Sequence, residues 1–189
     1  TLFPYTTLFR SLPSLPSNGE AKSGSDWKTL LVLSEGRGGV ANLWSSSSSC
    51  HTGFSGTYSA TTPHFCGYYA LDVTDTTATP ILKWILGGSA GLSATHGSHL
   101  GQPWSKMNMG RVRDGNNETW VGFIGGGYAA TDCAGAGVCD TKGKGFYTVK
   151  LTDGSIFWSY THSDDATMVY SMPGQANLID NDNDGFIDR

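Results

Sequence analysis

The chain is short of charge of either sign and has no long apolar run. Charged residues make up 15% of its 189 residues, against roughly 25% in an ordinary soluble domain. The 12 Lys and Arg and 16 Asp and Glu leave a formal net charge of -4. With no basic block, the electrostatic footprint of a nucleic-acid binder is missing. No apolar run approaches the ~18 residues that a membrane-spanning helix needs. No segment sustains the i, i+3, i+4, i+7 apolar spacing of a helix. What is plentiful is glycine, 26 residues, and aromatics, 12%. A disordered chain would have fewer aromatics and more charge. Few Lys and Glu with many Gly, Ser, Thr and aromatics is the composition of an extracytoplasmic all-β protein.

The two ends read differently from the middle. Thr1–Ser11, TLFPYTTLFRS, resembles the in-frame translation of a common sequencing adapter. It is set aside from the fold as a tag would be. Pro4 and the lack of a basic start also exclude a signal peptide there. Residues 12–25 are rich in Pro, Ser and Gly and read as a linker. The chain closes inside the string DNDNDGFIDR. Both ends are expected to be cut from a longer reading frame.

Between them, apolar, β-branched or aromatic runs alternate with turn residues, each of strand length. They are Trp27–Leu33, Gly67–Val73, Ile81–Leu86, Met109–Arg113, Trp120–Ile124, Phe146–Leu151, Ile156–Tyr160 and Gln175–Ile179. An internal repeat orders them. GYYALDVTD (Gly67–Asp75) aligns with GFYTVKLTD (Gly145–Asp153), and each is followed by a strand bearing Trp84 or Trp158. Upstream of each lies a Trp-led strand running into a Gly-rich turn, from Trp27 and from Trp120. Repeats of four short antiparallel strands are the signature of β-propeller blades. The expectation is an all-β, partial β-propeller over 26–189. It would hold three strands of one blade, a full blade at about Leu100–Thr161, and the start of a third from about Pro173. Trp84 and Trp158 are expected to wedge between blades as core residues.

The strongest chemical signal is Asp180-Asn181-Asp182-Asn183-Asp184-Gly185-Phe186-Ile187-Asp188. Side chains at positions 1, 3 and 5 of such a loop (Asp180, Asp182, Asp184) converge on one point. Phe186 offers its carbonyl, Gly185 permits the positive φ that turns the chain, and Asp188 closes the shell. Hard oxygen ligands on a flexible loop suit Ca²⁺ better than Mg²⁺. Carboxylates so crowded repel one another unless a cation neutralises them. The bland alternative is a solvated Asn/Asp turn. The preceding ANLI does not read as a helix, so a strand–loop–strand site is expected.

The four cysteines group as Cys50 with Cys66 and Cys133 with Cys139, each pair bracketing a Gly/Ser/Thr-rich insert. Three connectivities are possible. Local disulfides, which imply an oxidising compartment, compete with a zinc site from Cys50, His51, His64 and Cys66. That spacing fits no common zinc pattern. His96 and His99 read as exposed loop histidines. Gly125-Gly126-Gly127 follows a strand but lacks the helix of a phosphate-binding loop. No Gly-x-Ser-x-Gly elbow occurs, and no catalytic residues stand out.

Taken in order, DWKTLLVLSEGRGG, GYYALDVTD, GQPW, WVGFIGGGY, GFYTVKLTDG and the aspartate loop resemble the C-terminal β-propeller of PilY-type type IV pilus biogenesis and tip-adhesin proteins. The resemblance covers about Asp26 to Arg189. It implies a non-enzymatic, calcium-binding propeller segment that supports pilus assembly and surface attachment. Calcium would sit on Asp180, Asp182, Asp184 and Asp188. Partners would be pilins or minor pilins, with a surface or host receptor met through an N-terminal region outside this sequence. The setting would be the periplasm, outer-membrane surface or pilus tip of a bacterium. The cysteine-bearing inserts depart from the family pattern. Two other propellers compete: a quinone-dependent dehydrogenase, suggested by Leu151–Trp158, and an integrin-like repeat. The second predicts an aspartate string in every blade, whereas Arg111–Asn117 carries a single Asp.

Overall fold

The computed structural model describes residues 5–11, 27–34, 36, 67–86, 99–115, 117–128, 140 and 142–188. The four cysteines, His51, His64, His96 and the linker at 12–25 lie outside the described residues.

Among the described residues, eight strands form two antiparallel sheets. The first contains β1 (Tyr5–Ser11), β2 (Lys28–Ser34), β3 (Tyr68–Asp72) and β4 (Ile81–Leu86). The second contains β5 (Asn108–Asp114), β6 (Asn117–Gly125), β7 (Gly145–Lys150) and β8 (Ile156–Thr161). Each sheet follows chain order, as strands joined by direct reversals do. No helix element occurs among the described residues, and none is long and apolar enough to cross a membrane. Seven of the eight expected strands form within a few residues of their expected ends.

The repeat extends to the detail of register. Ala70 faces Trp84 and Thr148 faces Trp158, and in both sheets the ladder shifts just after that pair. Each shift is a bulge that twists the last strand. The first strands align differently from the sequence match. Leu30 faces Asp72 and Val121 faces Lys150, so Leu30 and Val121 are equivalent, two residues away from the Trp27–Trp120 pairing. A two-residue slip keeps every side chain on its own face, which is why the pattern hid it.

Two segments take places other than those expected. Tyr5–Ser11, set aside as foreign to the fold, pairs with β2 along its whole length, from Tyr5 opposite Ser34 to Ser11 opposite Lys28. It takes the place that β5 has in the second sheet. The free edge of β2 presents unpaired N–H and C=O groups, and a run rich in Thr and aromatics is well suited to fill it. Gln175–Ile179 forms no strand, and residues 173–188 carry no element of a third sheet. This segment instead lies against the β5 side of the second sheet, its backbone met by single contacts. Ser105 Oγ donates to the Gly174 carbonyl at 3.1 Å, and Asn108 Nδ2 donates to the Ala176 carbonyl at 2.7 Å.

One core lies between the sheets. Leu30, Val32, Tyr68, Ala70, Trp84 and Leu86 of the first meet Ile124, Tyr147 and Val149 of the second, with Leu100, Met107 and Leu151 filling in. Trp84 wedges across the joint as expected. Its indole N–H donates to the Leu151 carbonyl at 2.8 Å, which satisfies the one polar atom the ring buries. Gly154 stands against that ring at φ +76°, where an added Cβ would lie 2.8 Å from an indole carbon. Tyr68 similarly donates its hydroxyl to the Ser105 carbonyl at 2.8 Å. Trp158, expected to wedge in the same way, lies on the outer face with Phe146 and Tyr160 and is exposed.

The Gly125-Gly126-Gly127 run serves backbone crossing, not phosphate. Gly126 N–H donates to the Gly145 carbonyl, and its own carbonyl accepts from Gly101 N–H, both at 2.7 Å. A Cβ on any of the three would collide with backbone.

Candidate metal centre

The aspartate loop is carried on the edge of β5. Ile187 N–H donates to the Arg111 carbonyl at 2.7 Å, and Asp188 N–H donates to the Ile179 carbonyl at 2.9 Å, which closes the loop on itself. Gly110 leaves the space that Ile187 fills, since a Cβ there would lie 2.6 Å from Ile187 Cγ1.

Within the loop, backbone N–H groups fold the chain around the carboxylates. Gly185 N–H donates to Asp180 Oδ2 at 2.8 Å, and Asn181 N–H to Asp188 Oδ2 at 2.8 Å. Asp184 N–H donates to Asp182 Oδ1 at 3.2 Å. Gly185 has φ 86° and Asn183 φ 59°, the left-handed region that Gly and Asn enter most readily. The positive φ expected of Gly185 is present. An added Cβ there would also strike the Arg111 guanidinium.

Asp180, Asp182 and Asp188 come together: each offers a carboxylate oxygen lying within 4.8 Å of the other two. Asp180 Oδ1 is sealed from solvent with no hydrogen-bond partner among the described residues. A buried acceptor left without a donor is costly, and a cation would satisfy it. An all-oxygen, all-carboxylate donor set fits Ca²⁺.

Asp184 does not join them. Its Oδ2 accepts from Arg113 Nη2 at 2.6 Å and its Oδ1 accepts from Phe186 N–H at 2.8 Å. The Arg113 hydrogen bond holds the Asp184 carboxyl below the usual carboxylate range. Asp184 in turn pushes the Arg113 guanidinium up. Phe186 enters through its ring. The Arg113 and Arg111 guanidinium carbons lie 4.1 Å and 4.7 Å from its centroid, within cation–π range. Arg111 Nε donates to the Gly185 carbonyl at 2.9 Å, and its Nη1 lies 3.7 Å from Glu118 Oε2.

The chain's fold has a solved counterpart. It resembles the C-terminal domain of Pseudomonas aeruginosa PilY1. The match to that crystal structure has a TM-score of 0.52 at 22% identity and covers 89% of this chain. The chain spans a quarter of the length of the PilY1 chain it matches. No family model and no curated protein matches. At that identity, the PilY1 likeness is one of fold.

Arg111 and Arg113 escaped the sequence reading, although the signal was there. Two arginines at i and i+2 share one face of a strand, in a chain with few cations and one dense acidic string. His99 also differs from expectation. It is half-buried, its Nε2 is 2.7 Å from Ser163 Oγ and its ring meets His162 edge-on at 5.8 Å. Burial first, then the nearby Lys144, keeps its imidazole below the ordinary histidine value.

Proposed function

We propose that this chain is an extracytoplasmic, calcium-binding segment of a PilY-type, type IV pilus-associated protein, and that it acts by binding and not by catalysis. The PilY1-like fold over nearly the whole chain is the observation that carries this reading. The ordered series of repeat segments and the aspartate loop at its end support it. In this reading the two sheets are consecutive blades of a larger ring. The burial of the first sheet's inner face against the second supports it, since stacked blades cover one another in that way. Asp180, Asp182 and Asp188 hold the ion, and the loop they stiffen is presented beside the β5 edge. Pilins or minor pilins are the partners of that assembly, and surface or receptor contacts belong to a region outside this sequence.

Calcium supplies charge neutralisation and oxygen coordination. The protein's share is to bring the carboxylates together and to return binding energy as local order. Calorimetric titration of the full 189-residue chain with CaCl₂ tests this, with melting followed in CaCl₂ and in EDTA. Saturable binding with a raised Tm is expected, and Asp180→Asn should abolish both. Absence of heat and an unmoved Tm would refute the calcium reading. Binding of the calcium-loaded chain to purified pilins, set against the Asp180→Asn chain, tests the pilus role.

A further inference from the structure

Four aspartates have the spacing to meet an ion, yet one of them is held elsewhere. We propose that Arg113 competes with the cation for Asp184, so that ion binding and the Arg113–Asp184 pair draw on the same carboxylate. The proposal rests on the calcium reading of the loop.

Three observations carry it. First, Asp184 is outside the group formed by Asp180, Asp182 and Asp188. Its carboxylate is engaged on both oxygens, by Arg113 and by Phe186 N–H. Second, Arg113 is built to stay there: its guanidinium lies over the Phe186 ring as well as against Asp184. Third, the pair is open to water, the side chains being 62% and 31% exposed. Ion pairs in that setting contribute little net stability, so a divalent ion with three carboxylates already in place can displace this one. A buried pair would lock Asp184 away, whereas an exposed one sets a threshold.

Arg111 has a different task. Its contacts are the Gly185 carbonyl, Glu118 and the aromatic rings of Trp120 and Phe186. None of these is a loop carboxylate. Arg111 therefore positions the loop, and Arg113 tunes how tightly the loop holds its ion.

Calorimetric Ca²⁺ titration of the full chain tests this with wild type, Arg113→Gln, Asp184→Asn and the double variant. Arg113→Gln frees the Asp184 carboxylate for the ion. Affinity should rise about fivefold, the most that releasing an exposed ion pair can return. Asp184→Asn should change wild-type affinity by less than about threefold and should erase the gain in the Arg113→Gln background. Arg111→Gln should lower Tm in EDTA without raising affinity.

Equal affinity in wild type and Arg113→Gln would overturn the competition and leave the calcium reading standing. So would a gain that survives Asp184→Asn. If neither wild type nor Arg113→Gln binds Ca²⁺ while both keep the far-UV signal of the folded chain, the calcium reading fails and the competition with it. Should Arg113→Gln not fold, Arg113→Lys carries the test. A lysine cannot reproduce the planar contact, so affinity should rise about two- to threefold, and no rise overturns the proposal.

Discussion

In the first sheet, Tyr68, Trp84 and Leu86 are 1%, 5% and 1% exposed; at the equivalent places in the second, Phe146, Trp158 and Tyr160 are 39%, 51% and 41% exposed. The strands are matched residue for residue, down to the bulge after Ala70 and after Thr148. All six side chains are apolar or aromatic, and what separates them is the neighbour. The second sheet lies on that face of the first, with Leu151 and Gly154 receiving Trp84. On the second sheet, Trp158 and Tyr160 stack on each other instead, with centroids 6.2 Å apart. Leu178 and Ile187 line the same face and leave a groove of about 410 Å³ beside Phe146 and Trp158. An apolar strand face is thus a local property, and its dryness is not.

The largest test of this contrast is truncation of the two tryptophans. Trp84→Ala should cost about 3–5 kcal/mol of unfolding free energy, whereas Trp158→Ala should cost under about 1 kcal/mol. Urea unfolding measures both. Equal costs would mean that the outer face is covered in solution. Next in size is Gly154→Ala, which forces a side chain to φ +76° against the Trp84 ring. A loss of about 2 kcal/mol is expected, and a neutral result would show that the joint has slack.

A smaller effect separates Tyr68 from its counterpart Phe146. Tyr68→Phe deletes the buried hydrogen bond to Ser105 and should cost about 1 kcal/mol, while Phe146→Tyr should be near neutral. The smallest effect is at the loop edge. Asp184 is held below the ordinary carboxylate range by Arg113. Its contribution is therefore full above its unfolded value, near 4, and lost as pH falls through the lowered folded value. Tm measured in EDTA should fall below pH 4 slightly less steeply in Asp184→Asn than in wild type. Parallel profiles would show the ion pair to be silent.

The strands were legible because their signals are local. Period-2 apolar residues and Gly, Asp or Thr turns mark Ile81–Leu86 and Ile156–Thr161 within a residue or so. Gln175–Ile179 shows the limit: a strand-like run that meets no strand partner among the described residues stays irregular. Tyr5–Ser11 shows the converse, a segment of foreign appearance that fills an open edge. The aspartate loop was legible by spacing, including the turn at Gly185. The departure of Asp184 was not, because Arg113 reaches it across a separation of 71 residues.

Composition, strand period and turn chemistry, all readable over a few neighbouring residues, determined by themselves that this chain is all-β, repeated, and ends in a carboxylate-rich loop. Tertiary structure alone decided which of two equivalent faces is dry, where the first strands register, and which three of four aspartates meet. Those outcomes depend on groups brought together from distant parts of the chain, and a two-residue slip or a single arginine is enough to change them.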